Sequence, residues 1–302
     1  MPYNAWRLRT TRKRKVNKIT DKLGRTEPET TGPQQELTEF LHGRRYAKFA
    51  RFVFAVLGSI PWVGGFIAAS AALNAEFEQG HVNEINKRWV EEHQQRIQEL
   101  NETLAQMMLR LEQLGPQAEE RLSDESYLGL VKYGFRVWDE AGTRSKRDRV
   151  RQTLTNAAGT RICSDDVVRL FLLWLSNYDD LHMHVVKVVY ENPGATRAFI
   201  WEQIHGEEVR ENSAEADLFK LMIRELSMGS VIRQHRETTA DGRFLAQRVT
   251  TRRAKKITLE SAFEDSKPYE LTELGTQFVH YAMTELVPRI GAASGDASAE
   301  SS

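Results

Sequence analysis

Apolar residues recur at helical spacing along most of this chain, and one stretch departs from that pattern by having almost no polar positions. Residues 52–73, FVFAVLGSIPWVGGFIAASAAL, carry no formal charge over 22 positions. As one helix they would reach roughly 33 Å, against a hydrocarbon core of about 30 Å. Pro61 interrupts that helix because it has no amide to donate, and Gly64 and Gly65 loosen the next turn. The competing reading is a hairpin of two short apolar helices, 52–60 and 66–73. Phe52, Phe54, Leu57, Pro61, Trp62, Gly64, Gly65, Phe66 and Ile67 carry the membrane reading. About ten strongly apolar residues at roughly −0.3 to −0.6 kcal/mol each give a modest drive to insert, opposed by the proline, glycines and serines. The expectation is a conditional segment, folded against the protein at rest and able to enter a membrane.

The flanks are amphipathic. Leu37, Phe40, Leu41, Tyr46 and Phe49 lead into the apolar stretch together with Arg44, Arg45, Lys48 and Arg51, which would hold the N-terminal side in the cytoplasm. After it, residues 74–114 predict one long helix. Val82, Ile85, Trp89, His93, Ile97, Leu100, Leu104, Met107, Leu111 and Leu114 alternate at three and four residues, a coiled-coil-like heptad stripe. That face either packs inside its own domain or forms a homo-oligomer seam through Trp89, Ile97, Leu100, Leu104, Met107 and Leu111. Gly115 and Pro116 end it, by a glycine cap and a residue that cannot continue a helix.

Ser123-Asp124-Glu125 starts a further helix with Tyr127, Leu128, Val131, Phe135 and Trp138 on one face. The charge-dense DEAGTRSKRDRVR of 139–151 predicts a loop entering a short helix through Val150, Leu154 and Ala157. Its Arg144, Lys146, Arg147, Arg149 and Arg151 are either a phosphate-binding patch or, the reading a charge run favours, a solvated face. Ser164-Asp165-Asp166 then caps a helix predicted to run from Val167 through Phe171, Trp174, Tyr178 and Val185 to Val189.

From Asn192 the signals follow a definite order. Asn192-Pro193-Gly194 is a turn; Thr196 caps a helix to His205; Ser213 caps a second helix to Met228; residues 230–235 read as a strand. A polar excursion follows over 237–267, carrying Arg243, Arg248, Arg252, Arg253, Lys255 and Lys256. Residues 268–271 form a return strand, and Thr272 caps a last helix to Ile290. Helix, turn, helix, strand, basic hairpin, strand, helix is the order of the winged-helix fold. Residues 164–290, with GSVIRQHRE entering the hairpin and PYELTELGTQF leaving it, resemble the winged-helix superfamily, and regulators of the MarR and PadR families in particular. The resemblance implies a nucleic-acid or protein partner met by the hairpin and by the second helix, where Lys220 and Arg224 lie. The acids Glu211, Glu215 and Asp217 at that helix start would repel phosphate. The apolar stretch, in turn, is similar in composition to the buried helical hairpins of colicin-like pore formers.

Charge and cysteine content narrow the function. The 42 Lys/Arg balance the 42 Asp/Glu, but residues 7–25 hold nine bases against one acid, including Arg12, Lys13, Arg14 and Lys15, an arm suited to an anionic surface. Residues 74–126 carry an excess of seven acids. The single Cys163 excludes an intramolecular disulfide and a cysteine-rich zinc site. His182 and His184, two apart on a helix, point about 200° away from each other and suit no shared metal. No phosphate loop, dinucleotide fingerprint or nucleophile elbow is present. The expectation is a mainly α, non-enzymatic protein with no cofactor, no metal and no small-molecule substrate. Its parts are a basic flexible arm (1–35), a helical domain with an apolar hairpin and a long helix (36–122), a helical connector (123–163), a winged-helix α+β domain (164–290) and a disordered tail (291–302). Two functions remain open: a bacterial effector of toxin or defence type, conditionally membrane-active and oligomeric, or a DNA-binding winged-helix regulator that dimerises through its N-terminal helices. Either would be cytoplasmic, the first also at the inner face of the membrane.

Overall fold

A computed structural model describes residues 49–79, 83–206, 209–235 and 261–284. The protein is mainly helical. Its described elements are α1 (Ala50–Leu57), α2 (Pro61–Gln79), α3 (Glu84–Leu114), α4 (Pro116–Arg121), α5 (Glu125–Glu140), α6 (Arg144–Gly159), α7 (Asp165–Asn177), α8 (Asp180–Glu191), α9 (Arg197–His205), α10 (Ala214–Met228), β1 (Ile232–Gln234), β2 (Tyr269–Leu271) and α11 (Glu273–Ala282).

The apolar stretch is not one straight helix. Its two helices meet at 94° across residues 58–60, and no single described helix is long and apolar enough to cross a membrane. Pro61 begins α2, where its missing amide costs nothing, so Gly64 and Gly65 lie inside that helix and it starts five residues earlier than expected. α1 packs on α5, and α2 on α3. The predicted helix over 74–114 is likewise two elements: α2 runs on to Gln79, and α3 starts afresh where the Asn83 side chain accepts from the Ile85 amide. Gly115, at φ 87°, turns the chain and Pro116 opens α4.

At the centre lies α6, which touches α3, α4, α5, α7 and α11. Its first half, residues 144–151, lies in the region expected to be a loop, and its second half is the short helix expected through Val150, Leu154 and Ala157. Thr143 caps α6, accepting from the Lys146 amide, and its buried face sets the small and polar Thr153, Thr155, Asn156, Ala157 and Ala158 beside Val150 and Leu154. The two threonines donate back to the carbonyls of Arg149 and Arg151 at 2.8 Å, which satisfies their hydroxyls within the helix. Gly134 on α5 makes the close approach possible, since a Cβ there would stand 2.9 Å from the Leu154 side chain.

The single helix expected from Val167 to Val189 is also divided. α7 stops at Asn177, and Asp179 opens α8 through a capping box with His182. α9 and α10 keep their expected boundaries, and Gly206 closes α9 in the left-handed region at φ 75°. β1 and β2 pair antiparallel with Ile232 opposite Leu271 and Gln234 opposite Tyr269; Ala195, just before α9, bridges the far side of Tyr269. α11 ends at Ala282, not Ile290, because the Asn156 amide of α6 donates to the carbonyls of Tyr281 and Thr284 at 2.9 and 2.8 Å, taking up the helix end. One contiguous apolar core runs from Phe49, just before α1, to Ala282 on α11.

Candidate functional surfaces

The α1–α2 corner divides its apolar residues between two faces. Phe52, Val53, Val56, Ile60, Val63 and Phe66 are buried, and Leu57 and Trp62 pack partly buried against the same core. The outward positions are Phe54 at 65% exposure, Gly58, Pro61, Gly64, Gly65, Ile67 at 43%, Ala68, Ala71, Ala72 and Ala75. None of these ten has a polar side chain. The two serines of the stretch point the other way: Ser59 and Ser70 are buried and donate to the carbonyls of Val56 and Phe66, at 2.7 and 2.8 Å. Hydroxyls inside and hydrocarbon outside reverse the usual arrangement of a surface helix.

Trp62 anchors this corner. Its indole N–H donates to Asp139 Oδ1 at 2.7 Å, the Arg96 guanidinium pairs with the same oxygen at 2.6 Å, and Arg96 lies 5.2 Å from the Trp62 ring centroid. The cluster ties α2, α3 and α5 together. Pulling the segment out of the protein would leave Asp139 and Arg96 without the indole that covers them.

The stripe on α3 is occupied within the chain. Ile97, Leu100, Leu104, Met107 and Leu111 are fully buried, against α2 and α6, and Trp89 is half-buried, stacked on His93 with centroids 4.1 Å apart. Ile85, expected on the stripe, is 79% exposed.

The cations of 144–151 form neither a phosphate patch nor a solvated face. Arg147 pairs with Glu99 and lies over the Trp138 ring; Arg149 pairs with Asp180 at 2.5 Å; Lys146 donates to the Ser176 carbonyl at 2.9 Å near the end of α7. Only Arg144 is largely open to solvent among them, at 78% side-chain exposure. Burial raises the Asp180 carboxyl, but hydrogen bonds from Arg149, Thr143 and Ser145 outweigh it and hold the group below the usual carboxylate value. Arg121, nearly buried, similarly joins Asp124 and Asp165 beneath α5 and α7.

Toward the C-terminus, His182 is buried and its ring sits between two partners. Nδ1 accepts from the Asp179 amide at 3.2 Å, which leaves the ring proton on Nε2, facing Glu225 Oε2 at 2.8 Å. Tyr178 stacks on His182 with centroids 5.1 Å apart, and burial followed by the Glu225 charge pushes its hydroxyl above the ordinary tyrosine value. This cluster joins α8 to α10; sequence spacing excluded a His182–His184 pair but gave no sign of the Glu225 partner. Among the described residues, no group of three or more His, Cys, Asp or Glu side chains could hold a metal ion.

α10 shows an outward apolar line: Leu218, Leu221 and Met228 are 49%, 45% and 78% exposed. Glu215, Asp217, Arg224 and Glu225 are exposed beside it, and Lys220 pairs with Asp217 at 2.8 Å. Glu211 is engaged elsewhere: it accepts from the Ser261 hydroxyl and the Ala262 amide, bonds that hold its carboxyl low. At the base of the expected hairpin the His235 amide donates to the Pro268 carbonyl at 2.8 Å, and Glu270 accepts from Arg233 and pairs with His235. Arg243, Arg248, Arg252, Arg253, Lys255 and Lys256, together with Arg12, Lys13, Arg14 and Lys15, lie outside the described residues. No known protein family, curated protein or solved structure matches the chain.

Proposed function

We propose that the protein is a non-enzymatic docking protein, a helical body carrying a winged-helix-type unit over residues 164–290 in which α10 receives a basic amphipathic helix from a partner protein. The observation that carries this reading is the outward face of α10. Leu218, Leu221 and Met228 form an apolar line, with the carboxylates of Glu215, Asp217 and Glu225 along the same helix. An apolar stripe edged with acids complements a helix whose own stripe is edged with Lys and Arg, and it repels a phosphate backbone. The order α9, α10, β1, β2, α11, with Ala195 bridging Tyr269 at the sheet edge, is compatible with the winged-helix type.

A leucine–lysine model helix labelled with a fluorophore tests it. Its anisotropy should rise to saturation on titration with the full chain, and Leu221→Asp should weaken that binding roughly tenfold, the cost of setting a charge against an apolar contact. Equal affinity of the variant overturns the reading.

A second reading, nucleic-acid contact through the hairpin, is favoured by the ladder that closes its base at His235 and Pro268 and by the six cations between. It predicts retardation of duplex DNA that disappears when Arg252, Arg253, Lys255 and Lys256 are changed to Ala and that falls steeply with salt.

A further inference from the structure

The outer face of the α1–α2 corner presents hydrocarbon alone, and three observations bear on what covers it. First, among the residues whose burial is described, each exposed position from Phe54 to Ala75 lacks a polar side chain, while Ser59 and Ser70 are turned into the core. α3, by contrast, is solvated in the ordinary way, with Glu91, Glu92, Gln94, Gln95 and Gln98 outward. Second, a described cation lies at one end of this stretch, and further cations precede it in the sequence. Arg51 is exposed on α1 three residues before Phe54, and the chain continues upstream into Lys48, Arg45 and Arg44. Even fully extended, seven residues place Arg44 within about 25 Å of Arg51. The basic residues 12–15 follow on the same side of the sequence. Third, the corner is fixed. Trp62 is bonded into Asp139 and Arg96, and the two arms meet at 94°, so the face is offered without unfolding and neither arm is by itself long and apolar enough to span.

Hydrocarbon next to a cluster of Lys and Arg is the chemistry of an anionic lipid surface. The apolar side chains enter the boundary between headgroups and acyl chains, and the cations meet the headgroup phosphates. We infer that the α1–α2 corner seats the folded protein on an anionic membrane as a monotopic anchor, with Phe54 and Ile67 immersed and the segment never crossing the bilayer. This replaces conditional insertion of a hairpin by a face that is ready in the resting fold. It stands apart from the α10 docking reading, because it uses different residues.

Flotation of the full chain with phosphatidylcholine vesicles, with and without phosphatidylglycerol, tests it. The protein should float with the anionic vesicles, and each neutralised cation among Arg44, Arg45, Lys48 and Arg51 should lower the partition coefficient roughly fivefold at low salt. Phe54→Asp and Ile67→Asp should each lower it roughly tenfold or more. Both residues are exposed, so circular dichroism and melting should stay as in the unaltered protein. A trapped dye should stay inside the vesicles, because nothing spans them. Failure of the unaltered chain to float, equal flotation of the aspartate variants, or dye release each overturns the inference. Two further results also overturn it by naming another occupant. A change of molecular mass in the aspartate variants would make the face an interface between two copies. Flotation that requires Leu37→Ser and Phe40→Ser would show that the chain's own upstream segment covers it.

Discussion

Gly275 has no room for a methyl group. A Cβ there would stand 2.1 Å from the Val231 carbonyl oxygen, which already accepts the Thr272 amide at 3.0 Å. Through this contact the first turn of α11 lies against the chain entering β1. Gly275→Ala must push two backbones apart, at a cost of about 1–3 kcal/mol. At about 2–4 °C per kcal/mol for a chain of this size, the melting temperature should fall by several degrees. Gly64→Ala is the matched control, because a Cβ there meets nothing within 4 Å; it should leave the melting temperature unchanged or raise it. An unaltered melt for Gly275→Ala would contradict the close approach.

At the scale of elements, α6 depends on ion pairs as well as on apolar contacts. Arg149 reaches Asp180 at the start of α8, with part of both side chains still open to solvent, so the pair is worth roughly 0.5–1 kcal/mol after screening. The Asp180 carboxyl sits below its ordinary value of 3.8. A carboxylate lowered by folding stabilises above its unfolded pKa, and that stability is lost as pH falls through the folded value. The melting temperature of Asp180→Asn should therefore lie below that of the unaltered protein at about pH 7, and the gap should close on acidification below about pH 4. A gap that persists unchanged in acid would show that the charge is not what matters.

Elements bounded by strong local chemistry were legible in the sequence. Thr196 and Gly206 bracket α9, Ser213 caps α10, Thr272 caps α11, and each side chain accepts the amide its position predicts. Only the second half of α6 was legible, through Val150, Leu154 and Ala157; its first half carries Arg and Lys, and that charge run read as loop. The break between α7 and α8 was hidden for the opposite reason. Apolar spacing continues across Tyr178 and Asp179, and only the capping box at Asp179 marks a new start. Of the surfaces, the apolar corner was visible as composition, but which of its residues face out depended on the 94° turn. The α10 stripe was obscured, since Leu218 reads equally well as core.

Across the whole molecule the core is continuous, and Asn156 is one of its joints: a residue of α6 that closes α11 more than a hundred positions later. Asn156→Ala would leave the carbonyls of Tyr281 and Thr284 without their donor, a loss of about 1–3 kcal/mol. Because α6 also touches α3, α4, α5 and α7, the loss should be felt everywhere. Melts followed by tryptophan fluorescence and by far-ultraviolet circular dichroism should shift together and stay coincident. Separate transitions would mean that the C-terminal elements melt independently of the rest.

The inward turn of Ser59 and Ser70 has a consequence for water. Among the residues described on the corner's outer face no side chain offers a hydrogen bond to the first hydration layer, so the water there is ordered against hydrocarbon. Whatever covers the face releases that water. The gain is then largely entropic near room temperature, it grows on warming, and it carries a negative heat-capacity change. A contact made through this face should therefore strengthen on warming, and calorimetry of vesicle binding at several temperatures checks it.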